Sequence, residues 1–151
     1  MASEYRTKRN KITDAFVTEI KLKLNGQSPY NSNVFNNVHG NTLFIDQITQ
    51  FPSLCVVAGD ETREYQPDGF KWRYLDLEIR IYVSDETDPQ EELALLLEDV
   101  ERVIDNNDVL VYDDSVDPSL KTTSSTILTI ATDEGVLAPL GIGEIALQVR
   151  Y

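Results

Sequence analysis

The residues of this chain whose types could do chemistry are a lone histidine, a lone cysteine, a cluster of aspartates and a pair of glycines. A nucleophile needs a base within reach, and His39 is the one side chain that ordinarily titrates near neutrality. It sits in the Asn-rich stretch QSPYNSNVFNNVHGN and reads as a solvated loop residue. Cys55 lies inside the apolar run FPSLCVVAG, where a thiolate is disfavoured, so it reads as packing. Asp113, Asp114 and Asp117 offer oxygen ligands to a hard cation, but they lack the spacing of a calcium-binding loop and read as a solvated acidic loop. Gly141-Ile142-Gly143 lacks the third glycine and the strand-before-helix setting of a dinucleotide loop. The sequence has no phosphate-binding loop, no paired zinc ligands and no internal repeat. The expectation is a protein without catalytic residues, cofactor or metal.

Charge narrows the partners. The 13 Lys and Arg residues against 26 Asp and Glu leave a formal charge of −13, the opposite of what phosphate neutralisation needs, so specific nucleic-acid binding is not expected. The charge is unevenly placed: residues 1–23 hold six basic and three acidic groups, a net of +3, which leaves −16 on the remainder. A basic first helix could lie against an acidic neighbour or simply present a solvated face. One cysteine excludes an intrachain disulfide and suits a reducing compartment. The start MASEYRTKRNK has no apolar run, and no segment approaches the roughly 20 apolar residues that span a bilayer, so a cytoplasmic product without a membrane partner is expected. A length of 151 residues with 41% hydrophobic content suits one domain over residues 1–151.

The elements that must position any site follow from periodicity. Ile12, Phe16, Ile20 and Leu24 recur every fourth residue, predicting a helix from about Glu4 to Leu24 with Asn25-Gly26 as its stop. A long surface loop follows, anchored by Tyr30, Val34 and Phe35. FPSLCVVAG predicts a short strand buried on both faces. In KWRYLDLEIRIYV, Leu75, Leu77, Ile79, Ile81 and Val83 point to one side and polar residues to the other, and Pro67-Asp68-Gly69 predicts a hairpin over residues 62–74. Asp88, Pro89 and Glu91 mark the start of a second helix, whose stripe is Leu93, Leu96, Leu97, Val100, Val103 and Ile104. VLVY, STILTIAT and EIALQVRY complete the strands.

Helix, strands, helix, strands in that order predicts an α+β fold: a mostly antiparallel sheet of four or five strands, two amphipathic helices packed on one face, and a protruding β-hairpin. The other face, with Asp76, Glu78, Arg80 and Gln148, would suit water or a ring lumen. Tyr65, Phe70 and Trp72 flank the hairpin tip, where three large rings cannot all reach one core; they read as a partner surface or as a minor cluster of their own.

The run from Phe51-Pro52 through Glu61-Thr62, Tyr65-x-Pro67, Gly69 and Trp72, with Thr132-Asp133-Glu134-Gly135 and Ala138-Pro139-x-Gly141 near the end, resembles the tail terminator, or tail completion, proteins of long-tailed bacteriophages. The likeness covers about residues 51–151. It implies a structural virion protein of the tail or neck, assembled in the host cytoplasm. Such subunits form a ring, hexameric in that family, that caps the tail tube, ends its growth and docks the head connector while DNA passes through without specific binding. Partners would be further copies of itself, the tail tube protein and a head-completion protein. The turn at Asp133, Glu134 and Gly135, the loop to Gly143 held by Pro139, and the Tyr65, Phe70 and Trp72 tip would then be interface residues. A head–tail connector of a phage and an acidic DNA-mimic inhibitor are the alternatives the sequence leaves open.

Overall fold

The computed structural model describes residues 6–151. Helix α1 (Lys8–Lys23) leads into a loop and the short strand β1 (Val38–His39), then β2 (Ser53–Tyr65), β3 (Lys71–Ser84), α2 (Pro89–Asp105), β4 (Val111–Asp113), β5 (Leu120–Lys121), β6 (Ser124–Thr132) and β7 (Leu140–Arg150). Five strands form one sheet in the order β1-β2-β3-β7-β6, antiparallel except where β1 pairs parallel to β2, and β4 and β5 make a separate two-stranded hairpin. The α+β expectation holds.

The alternation in β3 sets the layers. Leu75, Leu77, Ile79, Ile81 and Val83 are buried, as are Ile145, Leu147 and Val149 of β7 beside them. Over this face lie Ile12, Phe16 and Ile20 of α1 and Leu93, Leu96, Leu97, Val100, Val103 and Ile104 of α2. Asp88 caps α2 by accepting the Glu91 N–H at 3.1 Å, and Pro89 occupies the first turn, as its sequence requires.

Several boundaries differ from expectation. Helix α1 begins at Lys8, because Thr7 is extended and its hydroxyl accepts the Asn10 N–H; the start expected at Glu4 lies outside the described residues. The strand expected over FPSLCVVAG runs on to Tyr65, with a bulge between Ala58 and Glu61. Only its first residues, Ser53 to Val56, are buried on both faces. In the loop after α1, Val34 is the buried anchor and Tyr30 packs beside the core, but Phe35 takes a positive φ of 50° and is 66% exposed.

Gly141 and Gly143 sit within β7, not in the loop before it, and their role is space. A Cβ on Gly143 would lie 2.9 Å from Leu93 Cδ1 and 3.2 Å from Leu97 Cδ2, and one on Gly141 would lie 2.9 Å from Val83 Cγ2. The glycines let α2 rest directly on the backbone of β7.

Candidate functional site

The site is best described as two tips at opposite ends of β3. At the first, the β2–β3 hairpin closes through Gln66 N–H to Phe70 O at 2.7 Å and Gly69 N–H to Gln66 O at 3.1 Å, while the Asp68 carboxylate accepts the Phe70 N–H. Gly69 takes a φ of 85°, which the turn requires. Phe70 and Trp72 meet edge to face, with centroids 4.9 Å apart. The Arg150 guanidinium lies 4.0 Å above the Trp72 ring. The tip thus divides: Trp72 is half-buried under an arginine of its own chain, whereas Tyr65 and Phe70 are 69% and 51% exposed.

At the second tip the β6–β7 turn is organised by one carboxylate. Asp133 Oδ1 accepts from the Ile142 N–H and from Gln90 Nε2, and Oδ2 accepts from the Leu137 N–H. Partial burial would raise the pKa of this group, but the N–H groups of Leu137 and Ile142 with the Gln90 amide outweigh it and hold the carboxyl below the usual Asp range. Glu134 and Gly135 follow with φ of 56° and 86°, and Pro139 O accepts the Asp85 N–H at 2.9 Å, tying the loop to the end of β3. The result is a turn of fixed shape that holds Val136 82% exposed.

Between the tips lies the sheet face turned away from the helices. Arg80 Nε donates to Glu78 Oε1 at 2.7 Å, and the Gln148 amide reaches Asp76. The neighbouring Glu78 raises the pKa of Glu144, while Glu144 and Arg80 lower that of Glu78.

The residues first weighed for chemistry are placed elsewhere. Cys55 is fully buried, and burial pushes its thiol pKa up. His39 is exposed, on β1 rather than in irregular loop. Asp113 is engaged by Lys11 Nζ at 2.7 Å and by Ser115, which hold its carboxyl at about 2. Among the described residues no cluster of three His, Cys, Asp or Glu side chains could hold a metal ion, and no helix is long and apolar enough to cross a membrane.

Two positioning features escaped the sequence reading. Asp99, fully buried in α2, accepts the Asn31 N–H at 3.0 Å, and Arg102 beside it donates to Pro29 O, so α2 pins the loop after α1. The pairing of Glu78 with Glu144 also went unseen. Asp99 has no sequence signal, since its partner lies in a different element; the two glutamates fall on the same face of neighbouring strands only once the register of β3 and β7 is known.

Residues 6–151 match the family model described as Bacteriophage Tail Tube Terminator Protein. The chain belongs to this family. The tail tube terminator protein p142 of Escherichia phage T5 is 38% identical over 150 residues, spanning 95% of this chain and 92% of its own. Among solved structures, a chain of the virion of a native gene transfer agent particle superposes with a TM-score of 0.58 over 92% of this chain and 96% of that one, at 11% identity, a likeness of fold. This terminator is therefore a structural component of the virion tail and not an enzyme.

Proposed function

We propose that residues 1–151 act as one domain that assembles into a hexameric ring on the finished tail tube, stops the addition of tube protein and offers a docking surface to the head connector. The observation that carries this is the placement of the two tips. They stand at the two ends of β3, a strand of 14 residues, and a rise of about 3.3 Å per residue separates them by roughly 40 Å. A subunit that meets both its neighbour and the tube needs two distinct surfaces so arranged. Tyr65, Phe70 and Trp72 form one, against a neighbouring subunit, and Asp133, Glu134, Gly135 and Pro139 form the other, against a neighbour or the tube. The polar outer sheet face suits a lumen through which DNA slides without sticking, since a polyanion finds few free cations there.

Membership of a tail terminator family displaces the connector and DNA-mimic alternatives. Electron microscopy of tails assembled by a phage lacking this protein tests the proposal. Tubes longer than normal, without heads, are expected; tails of normal length joined to heads would overturn it.

A further inference from the structure

Among the described residues the sheet ends in two unpaired edges, and their positions match. In the order β1-β2-β3-β7-β6, strand β6 has a neighbour on one side alone, and β1 covers only Leu54 and Cys55 of β2. Val56 is itself fully buried, so the stretch of β2 from Val57 to Tyr65 is a second edge without a paired strand, met from outside by Arg9 at the Gly59 carbonyl. Across the registers, Thr129 lies level with Ala146, Glu78 and Val57, and Thr126 lies level with Gln148, Asp76 and the bulge at Gly59 and Asp60. The two open edges occupy the same rows at opposite sides of the molecule.

Edge strands usually carry charges or proline that deter pairing. Strand β6, SSTILTIAT, has neither in its nine residues, and it exposes Leu128 and Ile130. Only at its start is a free N–H met from outside the sheet, where the Asp108 carboxylate accepts from Ser125.

We infer that β6 of one subunit pairs with the Val57–Tyr65 edge of the next, so that the sheets of neighbouring copies join into one continuous sheet around the ring proposed above, on which this inference rests. The strands β2, β3, β7 and β6 alternate in direction, so copies set side by side in one orientation bring β6 and β2 together antiparallel. The contact joins two different patches, head to tail, which is the kind that closes into rings.

The helix layer selects this arrangement over self-pairing. Helix α1 lies over β2, and α2 over β3, β7 and β6. Helix α1 carries five Lys or Arg and two acidic residues, and α2 carries six acidic residues and one Arg. Joining β6 to the next β2 places acidic α2 beside basic α1. Joining β6 to β6 would place α2 beside α2, and joining β2 to β2 would set Asp60, Glu61 and Glu64 against their own copies. The ends agree as well. Arg9 donates to Gly59 O, and the chain leaving α1 returns through Val38 beside Leu54, so Lys21, Leu22 and Lys23 lie at the same end of the sheet as the β6–β7 turn. Exposed Val136 and Leu137 with Glu134 would then face exposed Leu22 and Lys23, and half-buried Lys21, of the next copy.

The test compares oligomer mass, melting and disulfide trapping. Wild type should form a ring by native mass measurement, and Thr126→Lys with Leu128→Lys should be monomeric at micromolar concentration with an unchanged melting temperature. Oxidising a mixture of Thr126→Cys and Asp60→Cys proteins should give a covalent heterodimer, whereas Thr126→Cys alone should give none. A ring that survives the lysines, or that forms from the mixture without trapping, leaves the ring reading intact and overturns the edge pairing. Trapping of Thr126→Cys with itself overturns it in favour of a β6 self-pair. A wild type that stays monomeric even with tail tube protein present overturns both. Should the lysine variant fail to fold, the trapping result decides.

Discussion

Lys11 of α1 and Asp113 of β4 meet at 2.7 Å, joining the basic first helix to the acidic segment after the second. Of the roles left open for the basic residues of α1, this one is docking. Asp113, depressed from 3.8 to about 2 by Lys11 and Ser115, contributes stability that is fully present above pH 3.8 and is lost as the pH falls toward 2. Asp113→Asn should therefore lower the melting temperature at pH 6 and lose its effect near pH 2. Melting curves of both proteins across that range check it; a difference independent of pH would dissociate the stability of this corner from the ion pair.

Gly143→Ala places a methyl 2.9 Å from Leu93 Cδ1 and 3.2 Å from Leu97 Cδ2, so both buried leucines must shift. Overpacking of this kind costs about 1–3 kcal/mol. Denaturant unfolding should show a loss in that range, and Leu93→Ala in the same chain should recover part of it by making room.

Gly135→Val has a different cost. Its Cβ would have room, with Gln90 Cγ at 3.9 Å, but the backbone stands at φ 86°. A β-branched residue resists that conformation by roughly 1 kcal/mol or more. The expected outcome is a modest fall in melting temperature with a larger loss of tails that join heads, scored by electron microscopy. Intact joining would separate the turn from docking.

At the hairpin tip, Phe70→Ser with Trp72→Ser removes an aromatic pair whose members each bury about 150–250 Å² when covered. Oligomer mass at micromolar concentration should fall, a larger effect than the accompanying loss of monomer stability. Since Arg150 already covers Trp72, Phe70→Ser alone should account for most of the effect, and Trp72→Ser alone should act mainly on monomer stability.

What could be read from the sequence was whatever its near neighbours decide. Asp88-Pro89 fixes the start of α2 within one turn, the alternation from Leu75 to Val83 fixes the buried face of β3, and Pro67-Asp68-Gly69 fixes the hairpin turn. Features decided by distant partners were not legible. The pair Val38–His39 becomes a strand only because the edge of β2 at Leu54 accepts it. Gly141 and Gly143 look like loop glycines until α2 is laid across them. At the site, Asp133-Glu134-Gly135 announced a turn, but the three N–H donors that make Asp133 its organiser come from Gln90, Leu137 and Ile142, two of them supplied by other elements.

Strand β7 follows every other element in the chain yet sits in the interior of the sheet, between β3 and β6. While the polypeptide emerges from the ribosome, β2 and β3 can form a hairpin, but β6 has nothing to pair with until β7 appears. A nascent chain thus has no finished sheet to offer to another copy. Until β7 is in place, one side of β3 and both sides of β6 stand unpaired, so the interval before the last strand is made is the one in which chains crowded on one message are most open to mispairing.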